Sequence, residues 1–370
     1  MRIGVPKEIK PQEFRVGLTP GSVREYVAAG HSLLVETGAG AGIGADDSAY
    51  KAAGAEIAPN ADSVFANSDM IIKVKEPQPV EIKRLKPQHL LFTYLHLAPD
   101  PEQTKGLIES GCTAIAYETV TDDRGALPLL APMSEVAGRL AIQAAGTALQ
   151  KLNGGRGLLL GGVPGVAAAR VLVLGGGVVG THAARMAVGL GAEVTIVDRS
   201  LPRLRELDEL FNGRVRTLYS TSHAIETEIV AADAVIGAVL IPGASAPRLV
   251  TRAMLKIMKP GAVMVDVAID QGGCFETSQA TTHAEPTYIV DGIVHYCVAN
   301  MPGAVPSTSS YALNNATLRY GLALAADPIA AMKRDPGLLA GLNIRHGKIT
   351  NKPVADSLGK AFVPPLESLA

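Results

Sequence analysis

Short β-branched runs alternate with segments whose apolar residues recur at helical spacing through the first 120 residues. Arg2 to Val5, His31 to Glu36, Ser68 to Val74, His89 to Tyr94 and Thr113 to Tyr117 read as strands; Gly21 to Ala29 and Pro101 to Ser110 read as helices. The glycine-rich stretch Thr37 to Gly44 reads as a loop. Such alternation predicts a parallel sheet with helices on both faces. From Ser134 to Leu152 apolar residues fall at 136, 137, 140, 141, 144, 145, 148, 149 and 152, one sustained helical stripe. Ser134 reads as its N-cap and Asn153-Gly154-Gly155 as its end.

A second set of strand-like runs follows: Val171 to Leu174, Val194 to Val197, Val215 to Tyr219, Ala234 to Val239, Val263 to Val267 and His295 to Cys297. They outline a six-stranded doubly wound sheet. A second long helix is predicted from Ser309 to Ala326, and the tail from Asp335 onward packs back on the first domain. The expected fold class is α/β: two Rossmann-like doubly wound parallel-sheet domains joined by long helices, with an active-site cleft between them. The expected domains are 1–130 plus 305–370, a discontinuous substrate and catalytic domain, and 131–304, a Rossmann domain that its glycine turn at Gly175 to Gly180 makes NAD-binding.

Composition narrows the class. At 370 residues, 47% hydrophobic and a formal net charge of -1, the chain fits a globular enzyme and gives no electrostatic reason for nucleic-acid binding. No apolar stretch approaches the length of a membrane-spanning helix, and the first residues lack the apolar core of a signal peptide. Cys112, Cys274 and Cys297 are widely spaced and odd in number, which points to a reducing, cytoplasmic setting and to no metal site.

The chemistry starts at Arg170-Val-Leu-Val-Leu-Gly175-Gly-Gly177-Val178-Val179-Gly180, a β run entering a G-x-G-x-x-G turn, with a helix expected from His182 to Leu190. This unit cradles a pyrophosphate. The next run, Glu193 to Asp198, ends in an acid eighteen residues after Gly180. An acid there accepts hydrogen bonds from the adenosine ribose and repels a 2′-phosphate, so Asp198 favours NAD over NADP, although the neighbouring Arg199 is the kind of residue that attracts that phosphate.

In open α/β sheets ligands bind at the carboxyl ends of the strands. The polar residues there are Arg15, Lys75, His96 and Glu118 in the first domain, and Asp198, Ser220 and Asp270 in the second, together with the glycine turn and the Val239-Leu240 edge. An Arg clamps a carboxylate through two parallel hydrogen bonds, a Lys polarises a carbonyl, and a His moves protons near neutrality. The set suits oxidation of a small amino or hydroxy acid. Each residue also has a plainer reading: Lys73 and Lys75 as solvated charges two apart, His96 as a core histidine, Arg15 as a surface cation, and Asp270 as a turn cap.

At these residues the chain resembles the L-alanine dehydrogenase family. The carrying motifs are Met1-Arg-Ile-Gly-Val-Pro-Lys-Glu with Glu13-Phe-Arg15; Lys73-Val-Lys-Glu-Pro77; Leu95-His96-Leu97; Ala131-Pro-Met-Ser-Glu-Val-Ala-Gly-Arg139; Gly161-Gly-Val-Pro-Gly165; Val265-Asp-Val-Ala-Ile-Asp-Gln-Gly-Gly273; and His295-Tyr-Cys-Val-Ala-Asn-Met-Pro-Gly303. The resemblance implies Arg15, Lys75 and His96 on the substrate, and His96 and Asp270 as catalytic residues. It implies cofactor contacts from Ser134, Val178, Val179, Asp198, Arg203, Ser220, Val239, Leu240, Val267, Ala268, Ile269, Asp270, Val298, Ala299, Asn300 and Met301. It further implies a cytoplasmic homohexamer acting on L-alanine, pyruvate and ammonium with NAD. Gln279 and Ser307 depart from the family, standing where relatives usually carry a basic residue. Two rival readings are the nucleotide-binding subunit of a proton-translocating transhydrogenase and a saccharopine-type amino-acid dehydrogenase. The first predicts a long insertion in the second domain, where only the short Leu201 to Arg214 segment stands.

Overall fold

The computed structural model describes residues 1–239 and 246–369, which form two compact units, Met1–Met133 with Gly303–Ala370, and Ser134–Pro302. In chain order the strands are β1 (Arg2–Val5), β2 (Ser32–Glu36), β3 (Glu56–Ala58), β4 (Met70–Ile72), β5 (Leu90–Thr93) and β6 (Thr113–Ala116). The second unit adds β7 (Arg170–Leu174), β8 (Glu193–Asp198), β9 (Val215–Tyr219), β10 (Ala234–Gly237), β11 (Val263–Asp266), β12 (Thr287–Val290) and β13 (Ile293–Tyr296). The chain then returns to the first unit for β14 (Leu342–Arg345) and β15 (Lys348–Ile349).

The first unit's sheet runs β15-β14-β6-β5-β4-β1-β2-β3. β1 to β6 are mutually parallel; β14 and β15 are antiparallel additions at one edge. The second unit's sheet runs β12-β13-β11-β10-β7-β8-β9, parallel except for β12 against β13. In both sheets the strand order reverses beside the first strand, between β1 and β4 and between β7 and β10. That reversal opens a crevice at the carboxyl ends, the place where this class of sheet takes ligands.

Parallel strands covered on both faces need apolar residues on both. In the second unit Val171 and Val173 pack into one cluster, with the helix Ala131–Ala148, while Leu172 and Leu174 pack into another on the opposite face. In the first unit Ile71, Leu91, Ala114 and Ile344 centre one such layer.

Several boundaries differ from the sequence reading. The long helix begins at Ala131, so Ser134 lies inside it and is not its cap. Pro132 explains the shift, because a proline suits the first helical turn, where no amide partner is needed. The helix stops at Ala148, and Leu152 sits in the short turn Lys151–Asn153 with its side chain fully exposed, outside the apolar stripe. The helix after the glycine turn spans Val178–Gly189, beginning four residues before His182. β10 ends at Gly237, leaving Val239 in the loop beyond it.

β12 was not anticipated. Its side chains alternate exposed and half-buried at a sheet edge, and Asp291-Gly292, both left-handed with φ of 49° and 81°, turn it into β13. An Asp-Gly pair of this kind is a strong hairpin signal. His346-Gly347 does the same for β14 and β15, with φ of 47° and 75°.

Candidate active site

In the second unit the crevice is built by glycines with different duties. Gly175 has φ of 102°, and Val239 closes over it, its Cγ2 lying 3.1 Å from where a Cβ would stand. A Cβ on Gly180 would collide with the Gly175 carbonyl, so this glycine lets the helix sit down on the turn. Gly177 is the reverse case: a Cβ there would meet nothing within 4 Å, and no side chain caps the helix that starts beside it. Open space in front of uncapped first-turn amides is what a pyrophosphate requires. Val178 and Val179 form the first turn, and Val178 is exposed.

Asp198 ends β8 beside this turn. Its Oδ2 accepts the Gly176 amide at 2.6 Å and its Oδ1 the Ser200 amide at 2.8 Å. Each carboxylate oxygen has a further lone pair, so ribose hydroxyls fit the same side chain. Arg203 donates from Nε to the Gly176 carbonyl at 2.7 Å and from Nη2 to Thr181 Oγ1 at 2.8 Å. It therefore braces the glycine turn. The Ser220 amide donates to the Asp198 carbonyl at 2.9 Å, which places Ser220 next to the acid. Ser134 lies one helical turn before Gly138, whose missing side chain admits the Val179 carbonyl. The same helix face thus brings Ser134 towards the first turn of Val178–Gly189.

The loop after β11 carries Val267, Ala268, Ile269 and Asp270; Ile269–Gln271 is a single helical turn and Asp270 is exposed. Asp266, which the sequence reading passed over, fixes both ends of this loop. Its Oδ1 accepts the Ala268 amide at 3.0 Å and its Oδ2 the Cys274 amide at 2.8 Å, with the Ser278 hydroxyl also on Oδ2. Burial pushes the Asp266 carboxyl above the usual range, against the pull of these hydrogen bonds. After β13, Val298 and Met301 have their side chains in the core, so only their main chain can meet a ligand, while Ala299 between them is half-buried. Asn300 has φ of 60°, and its carbonyl lies 3.2 Å from His283 Nε2. Leu240 lies outside the described residues.

In the first unit Arg15 is buried and held by Glu13, Nε to Oε1 at 2.7 Å and Nη2 to Oε2 at 2.6 Å; its Nη1 donates to Met133 Sδ at 3.1 Å. Burial alone would lower the Arg15 pKa, but the Glu13 carboxylate, with smaller contributions from Tyr94 and Glu8, offsets it, and the net shift is upward. Lys75 follows β4, its Nζ 3.8 Å from Glu76 Oε2. Lys73, by contrast, is not solvated: it is fully buried between Glu8 Oε2 at 3.0 Å and Glu81 Oε1 at 2.8 Å.

His96 follows β5 in the left-handed region, φ 49°, unusual for a residue with a side chain. Glu118 holds that conformation by accepting the His96 amide at 2.6 Å and the Leu95 amide at 3.1 Å. The imidazole stands 3.8 Å from Glu118 through Nδ1, lies parallel to the Tyr94 ring, and is 43% exposed. It is thus an accessible histidine on a rigid support. Arg15, Lys75, His96 and Glu118 all leave carboxyl ends of adjacent strands β1, β4, β5 and β6. Glu8, Glu13 and Asp266 escaped the sequence reading because a buried acid looks like a surface one until its partners are known. Among the described residues no cluster of His, Cys, Asp or Glu is arranged to hold a metal.

Known proteins similar to this chain match it over nearly its whole length. Residues 4–137 match the family model described as Alanine dehydrogenase/PNT, N-terminal domain, and 141–352 the model for the C-terminal domain. Alanine dehydrogenase of Halomonas elongata is 57% identical over 98% of both chains. A solved structure of L-alanine dehydrogenase superposes with a TM-score of 0.94 at 52% identity, covering 97% of this chain and 99% of that one. A transhydrogenase structure from Sinorhizobium meliloti reaches 0.80 at 26% identity, covering 95% and 99%.

Proposed function

We propose, for a chain that belongs to the alanine dehydrogenase/PNT family, the reversible oxidative deamination of L-alanine: L-alanine, NAD and water give pyruvate, ammonium, NADH and a proton. The protein is an oxidoreductase of the alanine dehydrogenase type. The observation that carries the reading is this: strand ends of the first unit supply Arg15, Lys75 and His96, while the second unit carries an uncapped glycine turn with Asp198 beside it. The transhydrogenase reading has less support, since that structure is half as identical as the alanine dehydrogenase.

In this reading residues 1–130 with 305–370 hold the substrate and 131–304 hold NAD. Arg15 takes the substrate carboxylate. Glu13 occupies its Nε–Nη2 edge and fixes the guanidinium plane; a carboxylate outcompetes the weak acceptor Met133 Sδ at Nη1. Lys75 pairs with the carboxylate and polarises the reacting carbonyl. When bound, NAD supplies the hydride acceptor. Gly177 and the first-turn amides hold its pyrophosphate, Asp198 its ribose, and the main chain of 267–270 and 298–301 the remainder. Once the alanine ammonium has released one proton to solvent, hydride leaves the α-carbon and the freed nitrogen lone pair closes to iminopyruvate. His96 and Asp270 then move protons as water adds and ammonia departs.

The remaining expectations belong to the same proposal: NAD over NADP, a cytoplasmic location, small-molecule partners without nucleic acid or membrane, and a homohexamer. Three buried, unpaired cysteines suit a reducing compartment. No helix among the described residues is long and apolar enough to cross a membrane. Self-association is supported by large apolar side chains left exposed on the second unit, Leu152, Leu159, Val163, Val166 and Ile289. The reading is tested in the reductive direction: NADH should be consumed only when pyruvate and ammonium are both present. Consumption without ammonium would make the protein a hydroxy-acid dehydrogenase.

A further inference from the structure

The segment from Lys73 to Gln78 is irregular, yet its main chain is held at nearly every step. The Lys73 amide donates to the Phe92 carbonyl at 3.2 Å, and the Tyr117 hydroxyl donates to the Lys73 carbonyl at 3.1 Å. The Val74 and Lys75 amides both donate to Glu8 Oε1, at 2.7 and 3.3 Å. The Thr93 hydroxyl donates to the Lys75 carbonyl at 2.9 Å, and Glu81 Oε2 accepts the Gln78 amide at 2.8 Å. The two carboxylates in this set, Glu8 and Glu81, are joined through the ammonium of Lys73, and all three side chains are almost wholly buried.

A surface acid would serve as well if the only need were solubility. Three buried charges carry a heavy desolvation cost and hold together only while every partner keeps its place. The cost is concentrated at the sheet's reversal between β1 and β4, under the one peptide from which Lys75 projects. An irregular loop on its own holds a side chain loosely; here the loop is tied to the strand-exit segments of its neighbours.

We propose that Glu8 is a positioning residue for Lys75: through the shared Val74–Lys75 amide clamp, locked by Lys73 and Glu81, it sets where the Lys75 ammonium meets the substrate. This rests on the reading that Lys75 holds the substrate. Glu8 touches no reactant and acts through the backbone of Lys75.

The test is a double-mutant cycle on the full chain. Glu8→Asp keeps the charge count but draws the carboxylate back by one methylene. Displacements of this kind cost on the order of 10²-fold in kcat/KM when they move a reacting group. The expected result is such a loss for pyruvate and ammonium in Glu8→Asp, with NADH affinity by fluorescence titration within about twofold of wild type. The decisive readout is coupling: Glu8→Asp adds no further loss to Lys75→Ala, because residues acting as one unit are not additive. A folded Glu8→Asp with wild-type kcat/KM overturns the proposal. So does a loss that multiplies fully with Lys75→Ala, the signature of a merely structural role. If Glu8→Asp does not fold, Glu8→Gln, which keeps the carbonyl acceptor, enters the same cycle with the same two outcomes. Lys75→Ala at wild-type activity is a separate result, which sinks the reading of Lys75 itself.

Discussion

Gly177 and Gly180 belong to one motif but answer to different physics, and alanine at each position separates folding from binding. A Cβ on Gly180 would stand 3.0 Å from the Gly175 carbonyl carbon, 3.1 Å from Val173 Cγ1, and closer still to the Gly175 oxygen. The obstacle is backbone, not a flexible side chain. Gly175 is pinned by its amide to the Val197 carbonyl at 2.8 Å and by its φ of 102°, so the turn cannot yield. Forcing atoms into a filled site typically costs about 1–3 kcal/mol. At roughly 2–4 °C per kcal/mol for a unit of this size, Gly180→Ala should lower Tm by several degrees. Gly177→Ala meets nothing within 4 Å, and its φ of -66° is one that alanine accepts. Its N-cap penalty, some tenths of a kcal/mol, is offset by a similar loss of unfolded-chain entropy. Its Tm should stay within about 2 °C of wild type. The added methyl stands where the pyrophosphate must approach, so NADH affinity should fall by about tenfold or more, near 1.4 kcal/mol. Thermal melts and fluorescence titration of NADH measure the two quantities. Equal NADH affinity in Gly177→Ala and wild type would refute the placement of the dinucleotide, and an unchanged Tm in Gly180→Ala would refute the packing argument.

Other expectations follow from the same geometry. His96→Ala and Asp270→Asn should each lose about 10²–10⁴-fold in kcat while NADH still binds, and near-wild-type turnover in steady-state assays would remove that residue from the mechanism. Asp198→Ala should raise the NADPH-to-NADH ratio of kcat/KM by about tenfold or more, since the carboxylate no longer repels a 2′-phosphate; an unchanged ratio assigns selectivity elsewhere. Burial holds the imidazoles of His89 and His295 below the ordinary histidine pKa, so the unfolded chain takes up their protons first as pH falls. Stability should therefore be fully present above the unfolded pKa of about 6.5 and decline as pH drops through the lowered folded values. Melts of His295→Gln between pH 7.5 and 5.5 (about the range spanned by a free histidine) should show a shallower decline than wild type. A parallel decline would mean His295 is not the group that titrates.

What the sequence made legible was periodicity and position. The β-branched runs located nearly every parallel strand, and because each parallel strand leads into a loop at its carboxyl end, Arg15, Lys75, His96, Asp198 and Asp270 could be placed at or beyond those ends. Local signals failed where tertiary packing overrode them. Val178-Val179-Gly180 is a poor helix start by propensity, yet it forms the first turn because Gly180 packs on Gly175. β12 and β14–β15 are short edge elements whose hairpin pairs, Asp291-Gly292 and His346-Gly347, were the only clue. The supporting acids were invisible for another reason. Glu8 and Asp266 gain meaning from a partner or an amide that the fold brings into reach, and Glu13, though only two residues from Arg15, from the burial of both side chains.

The most direct test of the central claim is NADH formation by the purified protein with L-alanine and NAD, run beside an alanine-free control, saccharopine, and NADP in place of NAD. Rapid NADH formation with L-alanine and NAD alone is the expected result. NADH binding without turnover of L-alanine would contradict the account and leave the glycine turn as part of a nucleotide-binding subunit that works through a partner.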